Sequence, residues 1–323
     1  MAYLFYSRIK NLVKIIFGLV LSYVFKKPFA IGLPVSVSIE PVSYCNLHCP
    51  ECPTGNGSLN RGKRIMSLAL FSNILNEIKV HTFYLTLYFQ GEPFIHPHFA
   101  DFVKLARKNH IYTATSTNGQ LINNEVAEQT VRSGLNKLII SVDGTTQETY
   151  EKYRIGGQLD KAIEAIKHLV EWKKKLHSNT PKLEIQFLVL KHNEHQIPDI
   201  KKLAKELGVN KLSLKTAQIY DFENGSDLIP TQKKYARYIK GGDELYHRKK
   251  KMHNRCKHAF SATVISVDGE ILPCSFDKKG EYSSGNIKDK SLSEIWHNEK
   301  ASLFRRQILI DRQQFDMCRN CTE

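Results

Sequence analysis

Seven cysteines, arranged in two groups, are the residues of this chain best suited to chemistry. The first group is Cys45, Cys49 and Cys52, and the second is Cys256, Cys274, Cys318 and Cys321. An odd number of cysteines fits a disulfide framework poorly, and a chain of 323 residues needs no such framework to hold a core. Thiolates bind soft metals and iron–sulfur clusters, so the two groups indicate two metal centres in a reducing compartment.

The first group lies on one short loop, Cys45-Asn-Leu-His-Cys49-Pro-Glu-Cys52. Three thiolates can hold three irons of a cuboidal iron–sulfur cluster and leave the fourth iron open. An open metal position is typical of catalytic sites, whereas a closed one is structural or redox-active. A zinc knuckle is the alternative, although zinc usually takes four ligands as spaced pairs.

Composition and charge narrow the class of protein. The length fits one or two domains, and the chain contains no apolar run of the length that a transmembrane bundle needs. The net charge of +15 favours an anionic partner, such as a phosphate, a nucleic acid, an acidic peptide or a membrane surface.

The elements that must position the cysteines alternate between strand and helix from Pro34 onward. Strands are predicted over residues 35–39, 83–89, 111–116, 137–142, 183–190 and 211–216. Helices are predicted over residues 67–78, 99–108, 124–132, 147–153, 159–176 and 198–207. This alternation predicts parallel strands in an α/β fold, a partial (βα)6 TIM-like barrel. Active-site residues of such sheets follow the carboxyl ends of the strands, where the first cysteine loop lies.

The C-x3-C-x2-C spacing after the first strand of a partial barrel resembles the radical S-adenosylmethionine (SAM) enzymes. The resemblance implies that Cys45, Cys49 and Cys52 are catalytic ligands of a 4Fe–4S cluster whose open iron binds SAM. In the enzymes that the chain resembles, one electron from the cluster then splits SAM into methionine and a 5′-deoxyadenosyl radical, which takes a hydrogen from the substrate. The residue before the third cysteine, usually aromatic in that family, is Glu51 here.

Motifs after the later strands resemble the SAM-binding motifs of the same family. Gln90-Gly-Glu-Pro93 is similar to its Gly-Gly-Glu-Pro motif, whose acid holds the SAM ammonium group. Arg154 lies where relatives place an arginine on the SAM carboxylate, a role that suits its bidentate fork. The residues that the resemblance assigns to SAM or its surroundings are Gly91, Glu92, Pro93, Ser116, Asn118, Ser141, Asp143, Arg154, Lys191 and Asn193.

The second cysteine group resembles the auxiliary-cluster module called SPASM, in its shorter single-cluster form, the twitch domain. The resemblance rests on the C-x12-G-x4-C spacing from Cys256 to Cys274, followed by the pair Cys318 and Cys321. It implies a second, fully ligated 4Fe–4S cluster that transfers electrons. A structural zinc site with the same four ligands is the alternative.

These patterns divide the chain into four parts. Residues 1–33 are expected to form a basic N-terminal segment, 34–220 the radical SAM core, 221–255 a basic linker and 256–323 the SPASM/twitch domain. Within the last part, Asp268-Gly269 predicts a hairpin between two short strands, and a helix is predicted over residues 292–305. Assigning all seven cysteines to clusters leaves no thiol to donate hydrogen, as radical epimerases commonly require. This favours oxidation of a C–H bond, although a tyrosine could replace the thiol.

The expected partners follow from this interpretation. The substrate is a peptide or a sugar-like metabolite, the reductant is a flavodoxin- or ferredoxin-like protein, and no nucleic acid is expected. A different hypothesis is a zinc-stabilised binding protein whose basic surface contacts nucleic acid or membrane.

The N-terminal segment has two interpretations. It contains five basic residues and no acid, with an apolar run over residues 15–25. One interpretation is an interfacial helix, anchored by Tyr3, Phe5, Tyr6 and Phe17, that holds a cytoplasmic enzyme at the inner face of the membrane. The other is a helix packed on the body of the protein or on a second subunit.

Overall fold

Strands and helices alternate along the middle of the chain, as the sequence predicts. The computed structural model describes residues 2–59 and 61–321. The strands of this part are β1 (Ser36–Ile39), β2 (Tyr84–Thr86), β3 (Tyr112–Thr117), β4 (Lys137–Ser141), β5 (Lys182–Val189) and β6 (Lys211–Thr216). Its helices are α2 (Leu68–Ile78), α3 (Phe99–Lys108), α4 (Asn124–Arg132), α5 (Gln147–Glu151), α6 (Leu159–Lys175) and α7 (Ile197–Glu206), and the N-terminal helix α1 (Ala2–Phe25) precedes them. All the predicted strands and helices of this part are present, with ends shifted by a few residues.

Local sequence signals set several of these boundaries. The Ser67 hydroxyl accepts a hydrogen bond from the Leu70 N–H at 3.1 Å and so begins α2. The Asn123 side chain does the same for α4 through the Val126 N–H at 2.9 Å. Gly134, which follows the C-cap residue Ser133 of α4, has a φ of 77°, a conformation that glycine adopts without strain.

The chain is organised as two compact units, and the division passes through β3. The first unit comprises Met1–Ser43, Arg61–Ala114 and Met252–Glu323. The second comprises Tyr44–Asn60 and Thr115–Lys251.

The first unit contains the strands at the start and the end of the chain. Its C-terminal elements are α8 (His258–Ser261), β9 (Ala262–Ile265), β10 (Ile271–Leu272), α9 (Leu292–His297), α10 (Glu299–Ile310) and α11 (Asp316–Arg319). β1 pairs in parallel with β2 on one side and with β9 on the other, and β2 pairs in parallel with β3. β10 returns antiparallel to β9, which confirms the predicted hairpin at Asp268-Gly269.

The second unit contains the parallel strands β4, β5 and β6, with β5 in the middle. Leu183, Ile185, Phe187 and Val189 of β5 are at most 1% exposed, so one face of this strand is fully covered. Glu184 lies among them in the sequence and forms an ion pair with Lys137 at 2.8 Å. A short antiparallel hairpin, β7 (Tyr238–Lys240) with β8 (Tyr246–Arg248), lies in the segment predicted to be a basic linker.

One predicted helix is two helices in the structure. The prediction of a single helix over residues 292–305 is wrong because the backbone turns at Asn298, where φ is −68° and ψ is 171°. The Asn298 side chain accepts a hydrogen bond from the Ala301 N–H at 2.9 Å and begins α10. Asparagine favours such capping positions because its short side chain bonds to nearby backbone N–H groups.

The N-terminal helix α1 begins earlier than the apolar run that predicted it. It contains Arg8, Lys10 and Lys14 as well as the run over residues 15–25. Among the residues that the structure describes, no helix combines the length and the apolar content that a membrane crossing requires.

Candidate active site

The first cysteine group lies on a loop that folds back on itself in the second unit. The Cys52 N–H donates to the Cys49 carbonyl at 3.1 Å, and the Leu47 N–H lies 3.5 Å from the Cys45 sulfur. Gly55 permits this fold because a Cβ there would lie 2.6 Å from the Cys49 nitrogen. Cys49 is 5% exposed, whereas Cys45 and Cys52 are half-buried, so the three thiols belong to one partly open loop.

Asn118, a predicted site residue at the end of β3, lies against this loop. Its Nδ2 donates to the Asn46 side-chain oxygen at 2.8 Å and lies 3.6 Å from the Cys45 sulfur. Its own oxygen accepts from the Gln120 N–H at 3.0 Å. Asn118 therefore ties the strand end to the first cysteine of the loop.

Arg154 and Asp143, two further predicted site residues, lie beside the second cysteine. Arg154 Nε donates to Asp143 Oδ2 at 2.6 Å, and its Nη1 lies 3.7 Å from the Cys49 sulfur. The other Asp143 oxygen accepts from the Leu188 N–H at 2.6 Å, which fixes the carboxylate to β5. The side chain of Asp143 is fully buried and that of Arg154 is 16% exposed.

The charges of this cluster are coupled. Burial raises the pKa of the Cys49 thiol, and the nearby Arg154 guanidinium opposes that shift. Burial alone would lower the pKa of Arg154, but Asp143 and Cys49 raise it well above its ordinary value. A permanent cation is therefore fixed next to the cysteine loop, where it can attract a carboxylate or stabilise a thiolate.

Asn193 and Lys191, the predicted residues after β5, have different surroundings. Asn193 is fully buried, and its Nδ2 donates to the backbone oxygens of Asp143 and Leu188, both at 2.9 Å. Its side-chain oxygen accepts from the Leu190 N–H at 2.8 Å, so this side chain holds the loop that carries Asp143. Lys191 is exposed and lies 3.5 Å from Asp227. Of the two earlier strand-end serines, Ser141 is buried and Ser116 is half-buried.

Tyr220, which no sequence pattern singled out, lies next to the cysteine loop. Its backbone N–H donates to the Glu51 carboxylate at 3.0 Å, and the residue as a whole is 47% exposed. Burial raises the pKa of the Tyr220 hydroxyl, and the neighbouring Cys52 and Glu51 raise it further. Glu51 occupies the position that is usually aromatic in the resembled family, and this departure is the one signal that could have directed attention here.

The Gly91-Glu92-Pro93 motif lies in the first unit, at the start of a short 3-10 turn over Pro93–Ile95. Glu92 is 3% exposed, and its Oε1 accepts from the Phe94 N–H at 3.2 Å. Pro93 is buried and Gly91 is half-buried. The carboxylate of Glu92 is thus held in place by the turn that it begins.

The second cysteine group lines one cavity of the first unit. Cys256, Cys274, Cys318 and Cys321 all line this small space. Cys256, Cys318 and Cys321 are at most 7% exposed. Gly269, the glycine of the C-x12-G-x4-C spacing, has a φ of 93° in the turn between β9 and β10.

Arg312 is the charged partner of this second group, and no pattern predicted it. It is 2% exposed, and its Nη2 donates to the Cys321 sulfur at 2.8 Å. Burial raises the pKa of Cys318 to about 11 and that of Cys274 to about 12. Metal ligation requires thiolates, so a cluster bound in this cavity displaces protons, and Arg312 compensates part of the resulting negative charge.

The donor sets of both sites fit iron–sulfur clusters. The loop of Cys45, Cys49 and Cys52 offers three thiols, and the cavity of the second group offers four with one buried cation. Within residues 2–59 and 61–321, no three His, Cys, Asp or Glu side chains are arranged around a single-ion site.

Comparison with protein families identifies both regions. A family described as the radical SAM superfamily matches residues 39–204. A second, described as an iron–sulfur cluster-binding domain and named SPASM, matches residues 256–322. The second match favours an iron–sulfur cluster over the zinc alternative for the C-terminal cysteines.

Curated relatives align with most of the chain. The tungsten-containing aldehyde ferredoxin oxidoreductase cofactor-modifying protein of Pyrococcus furiosus is 27% identical, over 88% of this chain and 86% of the relative. The mycofactocin maturase MftC of Mycobacterium ulcerans is 27% identical, over 89% and 80%. The S-adenosyl-L-methionine-dependent 2-deoxy-scyllo-inosamine dehydrogenase of Niallia circulans is 23% identical, over 88% and 91%.

A solved structure supports the fold class. Streptococcus suis SuiB superposes with a TM-score of 0.65 at 17% identity, covering 90% of this chain and 72% of SuiB. At this identity the likeness concerns the fold alone, and it confirms the predicted α/β architecture.

Proposed function

Because the chain is an enzyme of the radical SAM superfamily and uses SAM and iron–sulfur clusters, we propose that it oxidises a C–H bond of a peptide or a sugar-like metabolite. The observation that carries the proposal is the loop of Cys45, Cys49 and Cys52 with Arg154 fixed beside Cys49. Both predicted cofactors, SAM and the 4Fe–4S clusters, follow from the matched families.

We assign the catalytic cluster to Cys45, Cys49 and Cys52. These three thiolates would hold the cluster, which would supply the electron for cleavage of SAM and would leave one metal position open to it. The half-buried state of Cys45 and Cys52 supports this assignment, because a ligand must reach the open side of the loop.

The chain's own residues bind and orient SAM. Arg154 is held through Nε by Asp143, and its Nη atoms can pair with the SAM carboxylate. Glu92, fixed by the Phe94 N–H, is the acceptor proposed for the SAM ammonium group. Asn193 positions Asp143 by holding its backbone oxygen. The other residues proposed to surround SAM are Gly91, Pro93, Ser116, Asn118, Ser141 and Lys191.

The second cysteine group supports oxidation as the reaction type. Oxidation of a C–H bond transfers one hydrogen atom to the adenosyl radical, after which a second electron and a proton must leave the substrate. Four thiols around one cavity can hold an electron acceptor without an open position. All seven cysteines then have ligand roles, so none is left to return a hydrogen atom as an epimerase requires.

The substrate class has two candidates. A peptide is supported by the resemblance to the PqqA peptide cyclase of Gluconobacter oxydans, which is 25% identical over 82% of this chain and 76% of the relative. A sugar-like metabolite is supported by the resemblance to the inosamine dehydrogenase. We further propose the domain limits 1–33, 34–220, 221–255 and 256–323, a flavodoxin- or ferredoxin-like reductant, and a cytoplasmic location without a nucleic-acid partner.

Anaerobic cluster reconstitution tests the assignment of the two cysteine groups. The wild type is expected to hold about eight irons, four for each cluster, and to release 5′-deoxyadenosine when dithionite is added. Alanine at Cys45, Cys49 or Cys52 should abolish this release. Cys318→Ala should spare it but block turnover of the substrate. Bound zinc with no nucleoside product would refute the proposal.

Product analysis in deuterated water tests the reaction type. Oxidation predicts a product that has lost a pair of hydrogens and contains no carbon-bound deuterium. An epimerised product of unchanged hydrogen count with one solvent-derived deuterium would contradict it. Candidate peptides and sugar-like metabolites are assayed in parallel, so the substrate class is decided by which of them is converted.

A further inference from the structure

The N-terminal helix α1 is attached to the first unit along one face. Arg8 is 4% exposed and donates to the backbone oxygens of Lys79, Asn109 and His110 at 2.7 Å. Gly18 lies so close to the following segment that a Cβ there would be 2.2 Å from the Phe29 oxygen. The helix is therefore fixed in orientation, since several buried contacts define which side faces the protein.

The opposite face of α1 is apolar and exposed. Large hydrophobic side chains that are 38–73% exposed cover it: Tyr3, Phe5, Tyr6, Ile9, Val13, Ile16, Phe17, Val20, Val24 and Phe25. Among the residues that the structure describes, 22 large hydrophobic side chains are exposed, and ten of them are in this one helix. Ile9, Val13, Ile16 and Val20 follow helical spacing, so they form one continuous outward stripe. Such a concentration indicates an interaction surface rather than ordinary exposed apolar residues.

Basic residues accompany this stripe. Lys10 and Lys14 lie one turn apart and are exposed, and Lys26 and Lys27 are exposed at the end of the helix. The sequence has no Asp or Glu before Glu40. The Arg255 guanidinium lies 5.8 Å from the Tyr23 ring, which adds a further cation beside the helix. The surface is thus complementary to an apolar layer bordered by anions.

Aromatic residues mark both ends of the helix. Tyr3, Phe5 and Tyr6 lie at its start, and Tyr23 and Phe25 at its end. Tyrosine concentrates at membrane–water boundaries because its ring is apolar and its hydroxyl is polar.

We propose that the outward face of α1 binds the surface of a membrane that contains anionic lipids. The helix lies in the plane of the interface, with its apolar stripe at the boundary between headgroups and acyl chains and its lysines near the phosphates. A second copy of the chain fits this face less well, because a two-fold pairing would bring together lysines with no acid on either helix to neutralise them. This inference is independent of the proposed reaction, since it uses none of the site residues.

Flotation of the full chain with lipid vesicles tests the proposal. The wild type should float with vesicles of phosphatidylcholine mixed with phosphatidylglycerol, and much less with phosphatidylcholine alone. Replacing Lys10 and Lys14 by Gln should lower the partition coefficient by about 30-fold. The double variant Ile16→Gln/Val20→Gln should lower it by roughly tenfold or more.

Leu303→Gln provides the matched control. Leu303 is an exposed apolar residue on α10 of the same unit, at 46% exposure against 54% for Ile16 and for Val20, and its replacement should leave flotation unchanged. Equal thermal midpoints of the wild type and the three variants would exclude misfolding as the cause of a loss. Flotation of the Ile16→Gln/Val20→Gln variant at the wild-type level would overturn the proposal. The proposal would also be overturned if the wild type were a dimer that floats with neither kind of vesicle while the Ile16→Gln/Val20→Gln variant were a monomer.

Discussion

Arg154 and Asp143 form a short ion pair whose carboxylate is inaccessible to solvent. The Arg154 Nε lies 2.6 Å from Asp143 Oδ2, and the second oxygen of Asp143 accepts from the Leu188 N–H. The pair therefore links the cysteine loop, through Cys49, to strand β5. A residue that binds a substrate or cofactor carboxylate gains from such support, because its guanidinium is already oriented.

Asp143→Asn is expected to destabilise the protein by about 3–5 kcal/mol, because it leaves a mostly buried guanidinium without its counter-ion. The matched control is Glu148→Gln, which removes the same charge from an exposed pair with Lys152. That change should cost less than about 1 kcal/mol. Chemical denaturation measures the free energy of unfolding of both variants. Equal losses would show that the buried pair stabilises the fold no more than the exposed pair does.

Tyr220→Ala is expected to weaken SAM binding by about fivefold or more, since stacking of a base on an aromatic ring contributes about 1–3 kcal/mol. The prediction supposes that Tyr220 supplies the aromatic surface missing at Glu51. Tyr220→Phe keeps the ring and should bind SAM as the wild type does. Calorimetric titration of SAM into the reconstituted variants decides, and unchanged affinity of the alanine variant would remove Tyr220 from the site.

Arg312→Gln is expected to lower the reduction potential of the C-terminal cluster, because hydrogen bonds and positive charge near the sulfurs favour the reduced state. A shift of roughly tens of millivolts is expected, given that 59 mV corresponds to about 1.4 kcal/mol for one electron. Arg306→Gln, at an exposed position on α10, is the control. Redox titration followed by electron paramagnetic resonance measures both, and equal potentials would contradict a tuning role.

The cluster-free, reduced protein is expected to lose stability between about pH 9 and pH 11. Burial raises the pKa of Cys318 to about 11 from an ordinary value of 9.0. As pH rises, the unfolded chain therefore releases the Cys318 proton at a lower pH than the folded chain does. The stabilisation that the protonated thiol provides is complete below about pH 9 and is lost as pH rises through the folded pKa. At pH 10.5 the loss is about 2 kcal/mol.

Cys318→Ala isolates this contribution. The thermal midpoint of the wild type should fall a few degrees more than that of the variant when pH rises from about 8 to 10.5. Parallel behaviour of the two proteins would mean that the thiol titrates normally in the folded state.

The regular elements were predictable because their signals are local. Alternating apolar residues and nearby caps such as Ser67 and Asn123 lie within a few positions of the strands and helices that they define. Asn298 shows the limit of this approach: its capping role interrupts a segment whose apolar spacing continues through it.

The candidate site could be predicted only where the spacing of residues along the chain is itself the signal. The cysteine loop and Arg154 follow recognisable spacings. The contact of Tyr220 with Glu51 joins positions 169 residues apart, and nothing near Tyr220 in the sequence indicates it. Arg312 is similar, since its partner Cys321 becomes significant only when the cavity brings four thiols together. Such roles depend on tertiary contacts, which a single sequence does not reveal.

The inward face of helix α1 also borders the proposed C-terminal metal site. Leu19 and Tyr23 pack against the apolar cluster that contains Cys256 and Cys318, so the helix is part of the wall around those thiols. A truncation that removes α1 would therefore take away part of the apolar wall around these thiols as well as the proposed membrane-binding face. The shortened enzyme should let water and oxygen reach the C-terminal sulfurs, and its second cluster should decay faster in air than that of the intact chain.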